Sequence, residues 1–208
     1  MPALTENLLL QVASVIRDEV TTTDELIPSG ETASYRSNPY KISEFTLIRK
    51  DPQYVGRAKA AQEFEKARVA GDKEKAGTFY QVLKAVGVDT PVEELMKTTG
   101  IGSVLYAKRP GDGSAREYAA SCQKVLGGLA NIGIEYATQR YRSNCVNWGI
   151  LPFTCPEKEI VLEPGEYLYL PGIRKAVEDG ATRFTAKVIG KDGAVRDLEL
   201  ELNGVTEA

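Results

Sequence analysis

The segment Gly111-Asp112-Gly113-Ser114-Ala115-Arg116-Glu117 sets a hydroxyl and a guanidinium at the start of a helical stretch, directly behind two glycines. Unpaired amide N–H groups and the helix dipole make such a point favourable for negative charge. Two uses follow: a substrate carboxylate docks there, or the serine is held as an alkoxide and acts as a base. Arg116 adds a planar fork suited to a bidentate grip on a carboxylate. The same letters have a purely structural meaning. Ser114 and Glu117 stand at the S-x-x-E spacing of a capping box, in which the serine caps the helix and the glutamate reaches back. A cap accepts an amide hydrogen bond while a base must face substrate, so the two roles compete for one oxygen.

The chain contains no histidine. That removes serine–histidine and cysteine–histidine triads, the usual zinc sites and imidazole general acids. Cys122, Cys145 and Cys155 are odd in number and include no C-x-x-C pair, so they read as core or incidental thiols and not as a disulfide framework or ligand set.

The elements that must position Ser114 and Arg116 read as a mixed α/β chain. Leu8 to Ile16 suggests a strand, followed by a polar loop through Thr22-Thr23-Asp24-Glu25 and Tyr35-Arg36-Ser37-Asn38-Pro39. Helical text runs from Asp51 to about Gly71, with Val55, Ala58, Phe64 and Ala67 on one face, and again from about Asp72 to Val86. A short helix follows Pro91. Gly102 to Ala107 predicts a buried strand, 108–114 a loop, and Ala115 to about Val125 a helix. A strand is expected around Asn131 to Tyr136 and helix through Asn144. Glu166 to Leu170, Arg183 to Ile189 and Val195 to Leu202 read as strands, the last two joined by Gly190-Lys191-Asp192-Gly193.

At 208 residues the chain has room for one sizeable domain, with no repeat and no low-complexity linker. Its net charge of -3 and its lack of a basic stripe argue against a nucleic-acid binder. No apolar run is long enough for a bilayer, and the first residues do not read as a signal peptide, so a cytoplasmic location is expected.

Three segments resemble a known family. Gly111 to Ala120 is similar to the G-x-G-S-S-R-E-x-A-A signature of the aconitase and isopropylmalate isomerase superfamily, departing at Ala115, where the family has a second serine. Thr22-Thr23-Asp24-Glu25-Leu26-Ile27-Pro28-Ser29-Gly30 resembles T-T-D-H-I-S-P-A-G, with Glu25 in the histidine position. Tyr141 to Pro152 resembles F-x-x-N-x-x-N-x-G-L-L-P, which makes Asn144 and Asn147 expected loop ties. The matches run in the family's order from about 20 to 155.

The resemblance implies a single swivelling β/β/α domain over 1–208, of the aconitase C-terminal or isopropylmalate dehydratase small-subunit type, with a helical insertion at about 51–98. It implies that Ser114 is the catalytic base and that Arg116 binds a substrate carboxylate. Arg36 and Asp24 are the further substrate-binding expectations; their structural readings are a solvated charge and a loop residue tying amides. The family's [4Fe-4S] cluster, the Lewis acid of the reaction, has no ligand set here, so the expected partners are cluster-bearing domains on the same or another chain. The expected activity is hydro-lyase interconversion of citrate and isocitrate through cis-aconitate. The alternatives are the small subunit of 3-isopropylmalate or homoaconitate dehydratase, and a non-catalytic binding or regulatory module on the same fold. Ala115 leaves one family contact to the substrate unfilled.

Overall fold

The computed structural model describes residues 3–157 and 162–204. Strand β1 (Asn7–Ile16) opens the chain and alternates its side chains: Leu8, Leu10 and Val12 point to one buried cluster while Leu9 joins another. A bulge between Val12 and Ser14 shifts the register, and Ala13 and Ile16 enter a third cluster. The carbonyl of the bulged Ala13 accepts from Arg57 Nε at 2.6 Å.

Next come β2 (Thr21–Thr22), α1 (Thr23–Leu26), α2 (Pro39–Ser43), α3 (Tyr54–Ala70), α4 (Lys73–Tyr80) and α5 (Val92–Thr98). Asp72 caps α4 through Lys75 N–H, and the left-handed Gly71 ends α3. On α3, Tyr54, Ala58, Ala61 and Ala67 are buried, as the predicted face requires, with Val55 and Phe64 half-buried. The predicted second helix becomes 3-10 after Tyr80, over Gln81–Val86.

Strand β3 (Thr99–Ala107) is buried along its whole length and begins three residues before the sequence expectation. The expected loop at 108–114 contains a short strand, β4 (Pro110–Asp112), and leads into α6 (Arg116–Val125). Strand β5 spans Gly128–Gly133, upstream of the predicted Asn131 to Tyr136, and α7 spans Gln139–Asn147. The chain continues through β6 (Leu151–Thr154), β7 (Tyr167–Leu170), α8 (Ile173–Glu178), β8 (Arg183–Ile189) and β9 (Val195–Glu201).

Seven strands close a barrel in the order β1-β3-β5-β6-β9-β8-β7. Strands β1, β3, β5 and β6 run parallel, while β9, β8 and β7 return antiparallel and close onto β1. Leu10, Val104, Ile132, Phe153, Leu168, Val188 and Leu200 belong to the central core. A second core, around Leu26, Tyr54, Ala119, Cys122, Tyr141 and Cys145, joins α1, α3, α6 and α7 to the outer face of the parallel strands. A third core, around Phe79, Leu83 and Leu95, packs the helices before β3 against Leu9 of β1 and Ile101 of β3. Four adjacent parallel strands thus send the chain out at one end of the barrel, the carboxyl end where α/β proteins commonly gather ligands.

Candidate functional site

The first two motif segments leave the carboxyl ends of neighbouring parallel strands, and the third begins on α7, whose approach from β5 joins them there before the chain runs back to the start of β6. Strand β2 follows β1 and pairs in parallel with β4, which follows β3: Thr21 aligns with Pro110 and Thr22 with Asp112. The segment after β5 joins them through Ala137 N–H to Pro110 O at 3.0 Å and Thr138 Oγ1 to Gly111 O at 3.1 Å. Backbone pairing therefore brings Thr22–Asp24 beside Gly111–Arg116.

The glycines of the signature are required by close approach. Gly111 has φ +98°, and a Cβ there would stand 2.3 Å from the buried Tyr141 ring. Gly113 has φ +128°, and a Cβ there would stand 2.3 Å from Thr23 Oγ1. Thr23 also accepts from Ala115 N–H at 3.3 Å, fixing the entry to α6 from the α1 side. Beneath the loop, Tyr141 hydroxyl accepts from Gln123 Nε2 at 2.8 Å and Asn131 Nδ2 at 3.1 Å, all three residues being buried. Burial pushes the Tyr141 phenol well above its ordinary value, so the network stays neutral.

The capping box expected from Ser114 and Glu117 does not form. Ala115, with no side-chain acceptor, is the N-cap residue of α6. Glu117 is drawn away to a long-range partner: Trp148 Nε1–H donates to its Oε1 at 2.6 Å, tying the third motif to the first. Ser114 is exposed and makes no hydrogen bond to any described residue, so its oxygen is open. Arg116, in the first turn of α6, is partly buried, and its Nε is buried with no hydrogen-bond partner. A buried donor without an acceptor costs free energy, of order 1–3 kcal/mol; an incoming acceptor removes that cost.

Arg36 lies on an exposed stretch, with its guanidinium carbon 5.8 Å from the centre of the Tyr118 ring and Nη2 donating to Ser29 O at 3.3 Å. Tyr118 stands two residues beyond Arg116, so Arg36 is drawn to the same turn of α6. Asp24 is exposed and held by Arg49 at 2.7 Å; Arg49 also meets Glu31. Asp24 is therefore paired with a cation and not tied to backbone amides. Arg49 is the site-region residue that sequence reasoning missed, while Thr23 and Tyr141 lay within the resembling segments without an assigned role. For Arg49 no local signal existed, because its partner lies 25 positions away.

Glu25, where the family pattern has histidine, completes a capping box with Thr22 and pairs with Lys50 at 3.0 Å. Burial acts to raise its pKa, but the Thr22 amide and Lys50 outweigh it and hold the carboxyl below its ordinary value. Asn144 and Asn147, expected as loop ties, make no side-chain hydrogen bond among the described residues. The third motif is held instead by the indole of Trp148 and the hydroxyl of Tyr141.

Among the described residues no group of three or more His, Cys, Asp or Glu side chains could hold a metal ion. The cysteines are buried and separate: Cys122 and Cys145 lie in the outer core, where burial pushes each thiol up to about 12, and Cys155 lies in the barrel core. The described residues do not fit an iron–sulfur cluster. Nor, among the described residues, is any helix long and apolar enough to cross a membrane.

No protein-family model matches the chain. The homoaconitase small subunit of Thermus thermophilus is 36% identical over 95 residues, a match covering 45% of this chain and 58% of that protein's length. The crystal structure of 3-isopropylmalate dehydratase from Methanocaldococcus jannaschii superposes with a TM-score of 0.51 at 16% identity, covering 95% of this chain and 83% of that one. The chain therefore shares the fold of that dehydratase structure, and over fewer than half of its residues it is similar in sequence to the homoaconitase small subunit, whose length it spans by a little over half.

Proposed function

We propose that this domain supplies the base and part of the carboxylate-binding surface of a hydro-lyase that dehydrates and rehydrates a hydroxy-polycarboxylate. One observation carries the reading: at the start of α6, a serine oxygen free of any capping role stands two residues from an arginine whose buried Nε lacks an acceptor. Ser114, as the alkoxide, takes the proton from the carbon next to the one bearing the hydroxyl. The helix N-terminus offsets its negative charge. Arg116 holds a carboxylate, and Arg36 reaches a second from the exposed stretch before α2. Asp24 then acts by holding Arg49 close to the same surface. Acid–base help of this kind contributes about 10²–10⁴ in rate.

The described residues offer no cluster ligand set, so the iron–sulfur group of such an enzyme would belong to a separate cluster-bearing domain or subunit. Closure of that partner over this face would exclude water and strengthen the charged contacts.

On substrate, the small-subunit alternatives stand ahead of aconitate hydratase, because the named relatives are a homoaconitase small subunit and an isopropylmalate dehydratase. Arg36, which lies against Tyr118 of α6, serves either reading. The deciding experiment is steady-state turnover of citrate, homocitrate and 3-isopropylmalate by the complete, anaerobically reconstituted enzyme. Preference for homocitrate or isopropylmalate supports the small-subunit reading, and preference for citrate the aconitase one. A fully reconstituted enzyme that turns over none of the three overturns the proposal in favour of a non-catalytic module.

A further inference from the structure

The opposite end of the barrel holds a cavity of about 260 Å³ where the parallel strands begin. Leu8 of β1, Gly100 of β3, Leu129 of β5 and Leu151 of β6 line it, with Val177 of α8 closing one side. Three charged residues reach it: Glu65, Arg68 and Lys124. Their partners are unequal. Glu65 is filled, accepting from Arg68 Nε and Nη2 at 2.7 Å each and from Ile101 N–H at 2.9 Å. Arg68 spends a further donor on Met96 O at 2.8 Å. Lys124 makes no ion pair among the described residues; its Nζ donates to Gly149 O, on the cavity wall, at 3.2 Å. Burial lowers its pKa, outweighing the opposing attraction of the Glu65 carboxylate.

With Glu65 matched by Arg68, the lining keeps one net positive charge, and an apolar chamber so charged selects an anion with an apolar tail. Size narrows the class: a cavity of about 150 Å³ holds benzene, so by proportion this one holds about ten non-hydrogen atoms. We propose that this cavity is a binding site for a medium-chain monocarboxylate of about eight carbons. Its tail lies against Leu8, Leu129 and Leu151 and its carboxylate meets Lys124. The site lies at the other end of the strands from Ser114, and neither its occupancy nor its test depends on the activity proposed above.

The test is titration of the folded full chain with octanoate, below micelle-forming concentrations, followed by amide NMR shifts and calorimetry. 1-Octanol is the neutral probe. Saturable octanoate binding that shifts Gly100, Leu129 and Gly149 is expected. Lys124→Met keeps the apolar stem and removes the charge; it should weaken octanoate about tenfold or more and leave octanol within about twofold. Leu129→Trp should fill the chamber and abolish binding of both. Absence of saturable shifts in the wild-type chain overturns the proposal, as does octanoate binding unchanged by Lys124→Met. Should Leu129→Trp fail to fold, the Lys124→Met comparison alone decides.

Discussion

The segments Gly111–Arg116 and Thr32–Tyr40 meet at the same turn of α6, yet they are held in opposite ways. The first is pressed between buried groups: Gly111 against the Tyr141 ring, Gly113 against Thr23, and the backbone paired to β2 on one side and to Thr138 on the other. The second is exposed from Ala33 through Lys41 and is held by local turns, a Tyr35–Phe45 ring stack and the contact of Arg36 with Tyr118. Few buried contacts mean low local opening cost. The proposed base and first arginine are thus pre-positioned, while the second arginine rides on an exposed segment that is free to adjust. On the proposed function, a site built this way would fix the proton transfer and leave the grip on distal carboxylates adaptable.

The largest expected effect breaks the rigid side. Gly111→Ala meets both an unfavourable φ and the Tyr141 ring, and should cost about 2–5 kcal/mol, read as a lower urea midpoint with unchanged slope. A loss under about 1 kcal/mol would mean that the loop is not clamped. Thr22→Ala removes the cap that starts α1 and should cost about 1 kcal/mol. Part of that stabilisation depends on pH. Because Glu25 is held below its ordinary value when folded, its contribution is present above the unfolded value and is lost as pH falls through the folded one. The difference between wild type and Glu25→Gln should therefore shrink in acid, in parallel urea melts at neutral and acid pH. Arg36→Ala, on the loose side, should leave stability within about 0.5 kcal/mol while raising KM more than it lowers kcat. A large stability loss would make Arg36 a structural residue and erase the contrast.

Much of this division was legible in the sequence. Two glycines just before a serine at a helix start announce a tight turn, and the positive φ values at Gly111 and Gly113 show why no other residue serves. The elements β1, α3, β8 and β9 were legible in the sequence: α3 buries a helical face and β9 an alternating one, while the apolar run of β1 is buried on both faces. Strand β6 escaped because Pro152 argues against a strand interior; it is tolerated where β9 meets β6 at one register pair only, Thr154 with Glu201. Strand β5 begins earlier than predicted because its first residues, Gly128 and Leu129, follow Gly127 and read locally as a turn. The capping box at Ser114 failed for a long-range reason. Glu117 bonds an indole 31 positions away, and no window of sequence contains both.

The central claim is that Ser114 is a base and not a cap, and one comparison tests it most directly. Wild type and Ser114→Ala would be assayed side by side in the complete, anaerobically reconstituted enzyme, on whichever of citrate, homocitrate or 3-isopropylmalate the wild type turns over, with thermal unfolding of each recorded. Because the serine makes no capping bond, the melting midpoint should not move, while kcat should fall at least about a hundredfold. Unchanged turnover, or a fall matched by a loss of stability, would contradict the assignment.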